Sequence, residues 1–167
     1  TVSTKTAAIT SLDSFNVIAT TGTAGSETQV WGPVQFSGNP YSADKYWPAS
    51  DPKYHFYAAN ENLSFSAQGC GITVADASKD IVAAYLPNPS YKTSNDLTFH
   101  HIFTRIGTIQ VMAPSGYTIT NVSLALSAPV SGSYNLRTGA WIAGSAIAQS
   151  LHAGSNDVYV VPGTYTL

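Results

Sequence analysis

The sequence predicts an all-β protein, a sandwich or barrel of short antiparallel strands. Apolar and polar residues alternate over short stretches along most of the chain. Turn signals separate those stretches at close spacing: Gly38-Asn39-Pro40, Asp51-Pro52, Pro87-Asn88-Pro89, Pro114-Ser115-Gly116 and Pro162-Gly163. At 167 residues the chain has the length of one ordinary domain, enough to bury a sizeable core.

In chain order, the Thr- and Ser-rich segment 1–13 reads as an edge strand or a frayed terminus, and residues 14–167 read as one sandwich domain. Ser14 to Thr20 alternates with Phe15, Val17 and Ala19 on one face. Gln29 to Phe36 has strand composition, but Gly32-Pro33 predicts a break into two short pieces. Strands are expected over Lys53–Ala58, Leu63–Ala67 and Asp80–Leu86, then over a long run from Leu97 to Met112. Tyr117–Leu126, Asp157–Val161 and Thr164–Leu167 complete the set, giving about seven to ten strands. One helix is expected, Ala140 to Leu151 (AWIAGSAIAQSL), with Gly144 weakening its middle.

Composition narrows the function classes. A net charge of −2 with no basic run gives no electrostatic footing for nucleic acid or an anionic membrane. Charged residues make up 10% of the chain, against about 25% in a typical soluble domain. Ser and Thr take their place, as is common in extracellular β-proteins. A single cysteine, Cys70, rules out an intramolecular disulfide framework. No apolar run approaches the roughly 18 residues that a membrane helix needs. Beginning at Thr1, the chain reads as a processed or trimmed product.

The stretch DLTFHHIFTRIGTIQV, residues 96–111, carries the densest polar chemistry. On one strand, Leu97, Phe99, His101 and Phe103 share a face, and Thr98, His100, Ile102 and Thr104 share the other. Adjacent histidines then point to opposite faces and do not chelate one metal. No further ligand spacing supplies the rest of a zinc site, and His55, His152 and Cys70 have no spacing that brings them together. His101 is therefore expected to face the core, satisfied by a backbone group or a hydroxyl, with His100 outside. Arg105 is either buried against Asp80 or Asp96, or turned to solvent by a bulge near Thr104. Ser42–Lys45 and Ser50–Lys53 match Ser-x-x-Lys but lie in a Pro-rich region without helical periodicity, so no nucleophile is assigned. No catalytic group, metal site or cofactor is expected. Clustered aromatics, Tyr41, Tyr46-Trp47-Pro48 and Tyr54-His55-Phe56-Tyr57, either cap the end of the core or present a sugar-stacking face through Tyr46, Trp47 and Tyr57.

A run of short motifs, in order, resembles a known family. They are Phe15-Asn16-Val17-Ile18-Ala19, Tyr46-Trp47-Pro48, His55-Phe56-Tyr57-Ala58 and Lys79-Asp80-Ile81-Val82-Ala83. Then come Leu97-Thr98-Phe99-His100-His101, Thr104-Arg105-Ile106, Ser131-Gly132-Ser133-Tyr134, Gly139-Ala140-Trp141 and Pro162-Gly163-Thr164-Tyr165. Together they resemble the N-terminal domain of the fimbrillins of Bacteroides-type bacteria. The matching family positions are Phe15, Val17, Pro48, Phe56, Asp80, Phe99, His101, Arg105, Trp141 and Tyr165, all architectural and none catalytic. The resemblance implies a transthyretin-like β-sandwich, exported as a lipoprotein precursor and displayed at the cell surface outside the outer membrane. It implies either a fimbrial structural subunit, with other fimbrial subunits as partners joined by strand addition, or a fimbria-associated surface adhesin, with host or bacterial surface glycans or proteins as partners. The alternative is a stand-alone extracellular glycan-binding module. The chain departs from the family pattern in three ways. Arg105 and Arg137 are its only arginines, so N-terminal cleavage has either already taken place or does not occur in this member. Cys70 is internal rather than a lipidation cysteine at the start. The sequence stops at Thr164-Tyr165-Thr166-Leu167 in what reads as mid-strand, so a second, C-terminal sandwich has either been cut away or never existed.

Overall fold

A computed structural model describes residues 9, 11–38, 41, 53–89 and 95–166. Among these residues every regular element is a β-strand. They are β1 (Ser14–Thr23), β2 (Ser26–Ser37), β3 (Tyr54–Ala59), β4 (Ser64–Ser66), β5 (Gly69–Val74), β6 (Val82–Pro87), β7 (His100–His101), β8 (Thr104–Ile109), β9 (Leu124–Pro129), β10 (Gly132–Asn135), β11 (Ala140–Ala143), β12 (Ala146–Leu151) and β13 (Gly154–Val160). All pairings are antiparallel. The sheets run β2-β1-β3-β6-β7, β11-β10-β5-β4, β12-β9 and β13-β8.

The architecture is an all-β sandwich whose main core lies between the five-stranded sheet and the other three. Ile18, Tyr57, Ala59 and Ala83 of the large sheet meet Cys70, Ile72, Ile106, Leu126, Ala128 and Val160 there. The large sheet is buried on its other face too. Phe15, Val17, Ala58 and Ala84 form a second cluster, covered by Leu12, Leu97 and Phe99 and flanked by Trp31, Phe36 and Phe56. Phe15 stacks on Phe36 at 5.7 Å, its antiparallel cross-strand partner, and meets Phe99 edge-on at 5.1 Å. β1 therefore carries apolar side chains on both faces, which accounts for its run of four consecutive buried residues, Val17 to Thr20.

Several elements differ from the expectation. Ala140–Leu151 is two strands, because β11 and β12 each pair with a neighbour and that pairing overrides the helix propensity of their alanines. The long strand over Leu97–Met112 is broken at Ile102–Phe103. Both side chains are buried, so they cannot alternate between faces, and the chain crosses from the large sheet (β7) to the β13-β8 pair. Residues 110–123 form no strand, and Leu124 starts β9. Residues 161–166 form none either, while β13 begins earlier than expected, at Gly154. β5 and β10 were not anticipated; both are short, with Gly at their starts.

Gly32-Pro33 does not split β2. The peptide is cis, and the strand runs on through a bulge opposite Val17–Ala19. Gly32 has φ +105, and a Cβ there would sit 2.5 Å from the Val17 carbonyl oxygen and 2.9 Å from Ile18 Cα. Gly32→Ala is therefore expected to cost about 2–4 kcal/mol. The check is urea unfolding, with a lower midpoint at an unchanged slope.

Candidate functional site

Among the described residues, a polar cluster lies at the β1-β3-β6 end of the main core. The Glu27 carboxylate accepts hydrogen bonds from the Tyr57 hydroxyl at 2.7 Å and the Thr20 hydroxyl at 3.0 Å. Tyr57 stacks on Tyr85 at 4.7 Å, across the β3–β6 register that pairs them. His55 Nε2 lies 2.9 Å from the Gly22 carbonyl, which can only accept, so Nε2 carries the proton. His55 Nδ1 is then left to accept from the Tyr85 hydroxyl at 3.1 Å. Burial first, and the Glu27 carboxylate second, push the Tyr57 phenol far above its ordinary range. Burial likewise pushes the Cys70 thiol up to about 12, leaving it protonated and unreactive. The buried side-chain polar atoms of the cluster all have hydrogen-bond partners.

The predicted site residues fall into three groups. Tyr57 is fully buried, so its ring faces are closed to a sugar; Tyr46, Trp47 and Pro48 lie outside the described residues. His101 is half-buried rather than core-facing, and its Nδ1 meets the Asp80 carboxylate at 2.7 Å. The imidazole sits at the β7 edge of the large sheet, within reach of that carboxylate. Arg105 is exposed on β8 and pairs with Asp157 of β13 at 2.6 Å, not with Asp80 or Asp96. The remaining positions are packing residues. Phe15, Val17, Phe56 and Phe99 build the second cluster. Trp141 packs on Phe103 at 4.9 Å and Tyr134 at 5.2 Å and donates its indole N–H to the Ile102 carbonyl at 3.1 Å. The Tyr165 hydroxyl closes the turn after β13 by donating to the Val161 carbonyl. Among the described residues, no three of His, Cys, Asp and Glu converge on a point that could hold a metal.

The surface is more informative than the interior. Between Arg105 and Asp157 the only charged side chain is Arg137. Val111, Met112, Tyr117, Ile119, Ile142 and Ile147 are exposed within that span, Met112 at 83%, Ile142 at 78% and Tyr117 at 75%. The span contains a bent hairpin. β9 and β10 follow one another on one arm, and β11 and β12 on the other. Pairing is carried through the bend by the Gly144 N–H to the Ser131 carbonyl at 2.8 Å. Gly132 makes the bend sharp enough, since a Cβ there would lie 2.5 Å from the Ile142 carbonyl oxygen. β11 is the outer strand of its sheet, and β12 pairs with β9 alone.

Strand edges usually carry charge, Pro or extreme shortness to prevent pairing with other chains. β2 has Glu27 and Pro33, β4 spans Ser64–Ser66, β7 spans His100–His101, and the β13-β8 pair carries Asp157 and Arg105. Residues 140–151 carry none of these devices.

A family model described as fimbrillin-like matches residues 1–167. The chain belongs to the fimbrillin-like family. No curated protein and no solved structure matches it. Fimbrillin-like proteins are structural subunits of cell-surface fimbriae that assemble with other subunits. Sequence reasoning missed the β11–β12 edge by reading it as a helix; the near-absence of charge between Arg105 and Asp157, broken only by Arg137, was a signal that could have found this face.

Two consequences of this geometry are measurable. Tyr57→Phe removes one of the two hydroxyls on the Glu27 carboxylate and is expected to cost about 1–2 kcal/mol of unfolding free energy, read from denaturant midpoints. At the surface, the Lys79 ammonium, 2.7 Å away, holds the Glu61 carboxyl below its ordinary range. An acid depressed in the folded state stabilises above its unfolded pKa, and that contribution disappears as pH falls through the folded value. Lys79→Met should therefore lower stability at neutral pH by less than about 1 kcal/mol, with the difference vanishing once the pH falls below the folded-state value of Glu61. A difference that persisted in acid would assign the effect to packing.

Proposed function

We propose that this fimbrillin-like chain is a structural subunit of a fimbria, with no enzymatic role, and that it joins a neighbouring subunit by strand addition. The observation that carries this reading is the uncharged edge at residues 140–151, set in a face with exposed Ile142 and Ile147. An unpaired edge offers a row of N–H and C=O groups, and a strand from another subunit satisfies them while covering the apolar side chains beside it. Repeating such a head-to-tail contact builds a filament rather than a closed ring. Export as a lipoprotein precursor and display outside the outer membrane follow from the fimbrillin resemblance.

The test is a denaturing gel of unboiled surface extract from bacteria producing the chain. The expected result is a detergent-resistant ladder that collapses to monomer on boiling. Ile142→Lys places a charge on the edge at a highly exposed position, so it should abolish the ladder while leaving the thermal midpoint of the isolated subunit unchanged. A wild-type monomer band, or a ladder indifferent to Ile142→Lys, would contradict the proposal.

A further inference from the structure

β7 closes the large sheet beside a cleft of about 190 Å³. One wall is the extended segment that leads into β7. Residues 96, 98 and 100 share one side of it, so Asp96, Thr98 and His100 line the cleft together. The opposite side of the same segment is anchored, with Leu97 and Phe99 packed into the second apolar cluster. Pairing of His100 with Ala83 fixes the register. The facing wall is Tyr85, Tyr134 and Leu136. Tyr85 is held by its stack on Tyr57 and its bond to His55, and Tyr134 by its contact with Trp141. Both walls are thus positioned by the core, so their groups require little ordering when a ligand arrives.

We infer that this cleft binds a neutral pyranose, the terminal sugar of a surface glycan. The volume suits one six-membered sugar ring. A carboxylate accepts hydrogen bonds from two vicinal hydroxyls, Thr98 donates and accepts, and the His100 imidazole adds a further polar contact. The two tyrosines supply apolar ring surface for the C–H face of the sugar. Asp96 is the one charged group in the lining, so a sugar bearing its own carboxylate is repelled. The cleft shares no residue with the 140–151 edge, and it meets that edge through Tyr134, which pairs with Trp141 of β11.

The experiment is saturation-transfer NMR on the full chain with the methyl glycosides of galactose, glucose, mannose, N-acetylglucosamine and N-acetylneuraminic acid. At least one neutral glycoside is expected to receive saturation and the acidic one none. Asp96→Ala and His100→Ala alter exposed positions, so they should leave the fold intact. They are expected to weaken the response at least tenfold and several-fold respectively. Ile142→Lys should leave it unchanged. No response from any neutral glycoside would overturn the inference. So would a response that survives Asp96→Ala, which would place sugar binding elsewhere on the chain.

Discussion

Burial of the five-stranded sheet on both faces is the constraint on which the rest of the structure depends. A sheet with one wet face can alternate apolar and polar residues along each strand. β1 cannot, because Phe15 and Val17 serve one cluster while Ile18 serves the main core. Covering the second face requires Leu12 from the N-terminal side and the extended segment bearing Leu97 and Phe99. That segment must then bend to enter β7, and the chain crosses at Ile102–Phe103 into the other layer. Polar groups that remain inside, Thr20, Tyr57 and His55, need partners, and Glu27, Tyr85 and the Gly22 carbonyl supply them.

A second consequence concerns where the charge lies. With few charged residues in the chain, the ion pairs among the described residues lie around the large sheet and at the β13-β8 pair: Glu61 with Lys79, Asp80 with His101, and Arg105 with Asp157. The hairpin of β9 to β12 is left nearly neutral. In a free monomer a surface of this kind is an aggregation hazard. In a polymer subunit the same surface is an interface, and its neutrality avoids the cost of desolvating charge.

Much of the fold could be read from the sequence. β1, β3 and β6 follow from short apolar-rich runs bounded by turn signals, and the ordered motifs from Phe15 to Tyr165 pointed to the fimbrillin family. What escaped has identifiable physical causes. AWIAGSAIAQSL is built from small residues with no strong period, so only its partners in β9 and β10 decide between helix and strand. Residues 96 to 111 read as one strand because every position tolerates extension; the crossing depends on Ile102 and Phe103 both reaching the core. Arg105 finds Asp157 across 52 residues of sequence, a pairing set by the β8–β13 register that no local pattern displays. Tyr57 was a candidate sugar platform by composition, but its position opposite Ile18 in the β1–β3 register places it inside.

The central claim, that the β11–β12 edge is where subunits join, is tested most directly by hydrogen–deuterium exchange of the chain in native fimbriae compared with the isolated subunit. Added strand pairing would slow exchange of the amides in residues 140–151 by orders of magnitude in the fimbria, while amides at the β2 edge exchange alike in both states. Equal exchange of residues 140–151 in the two states would contradict the account.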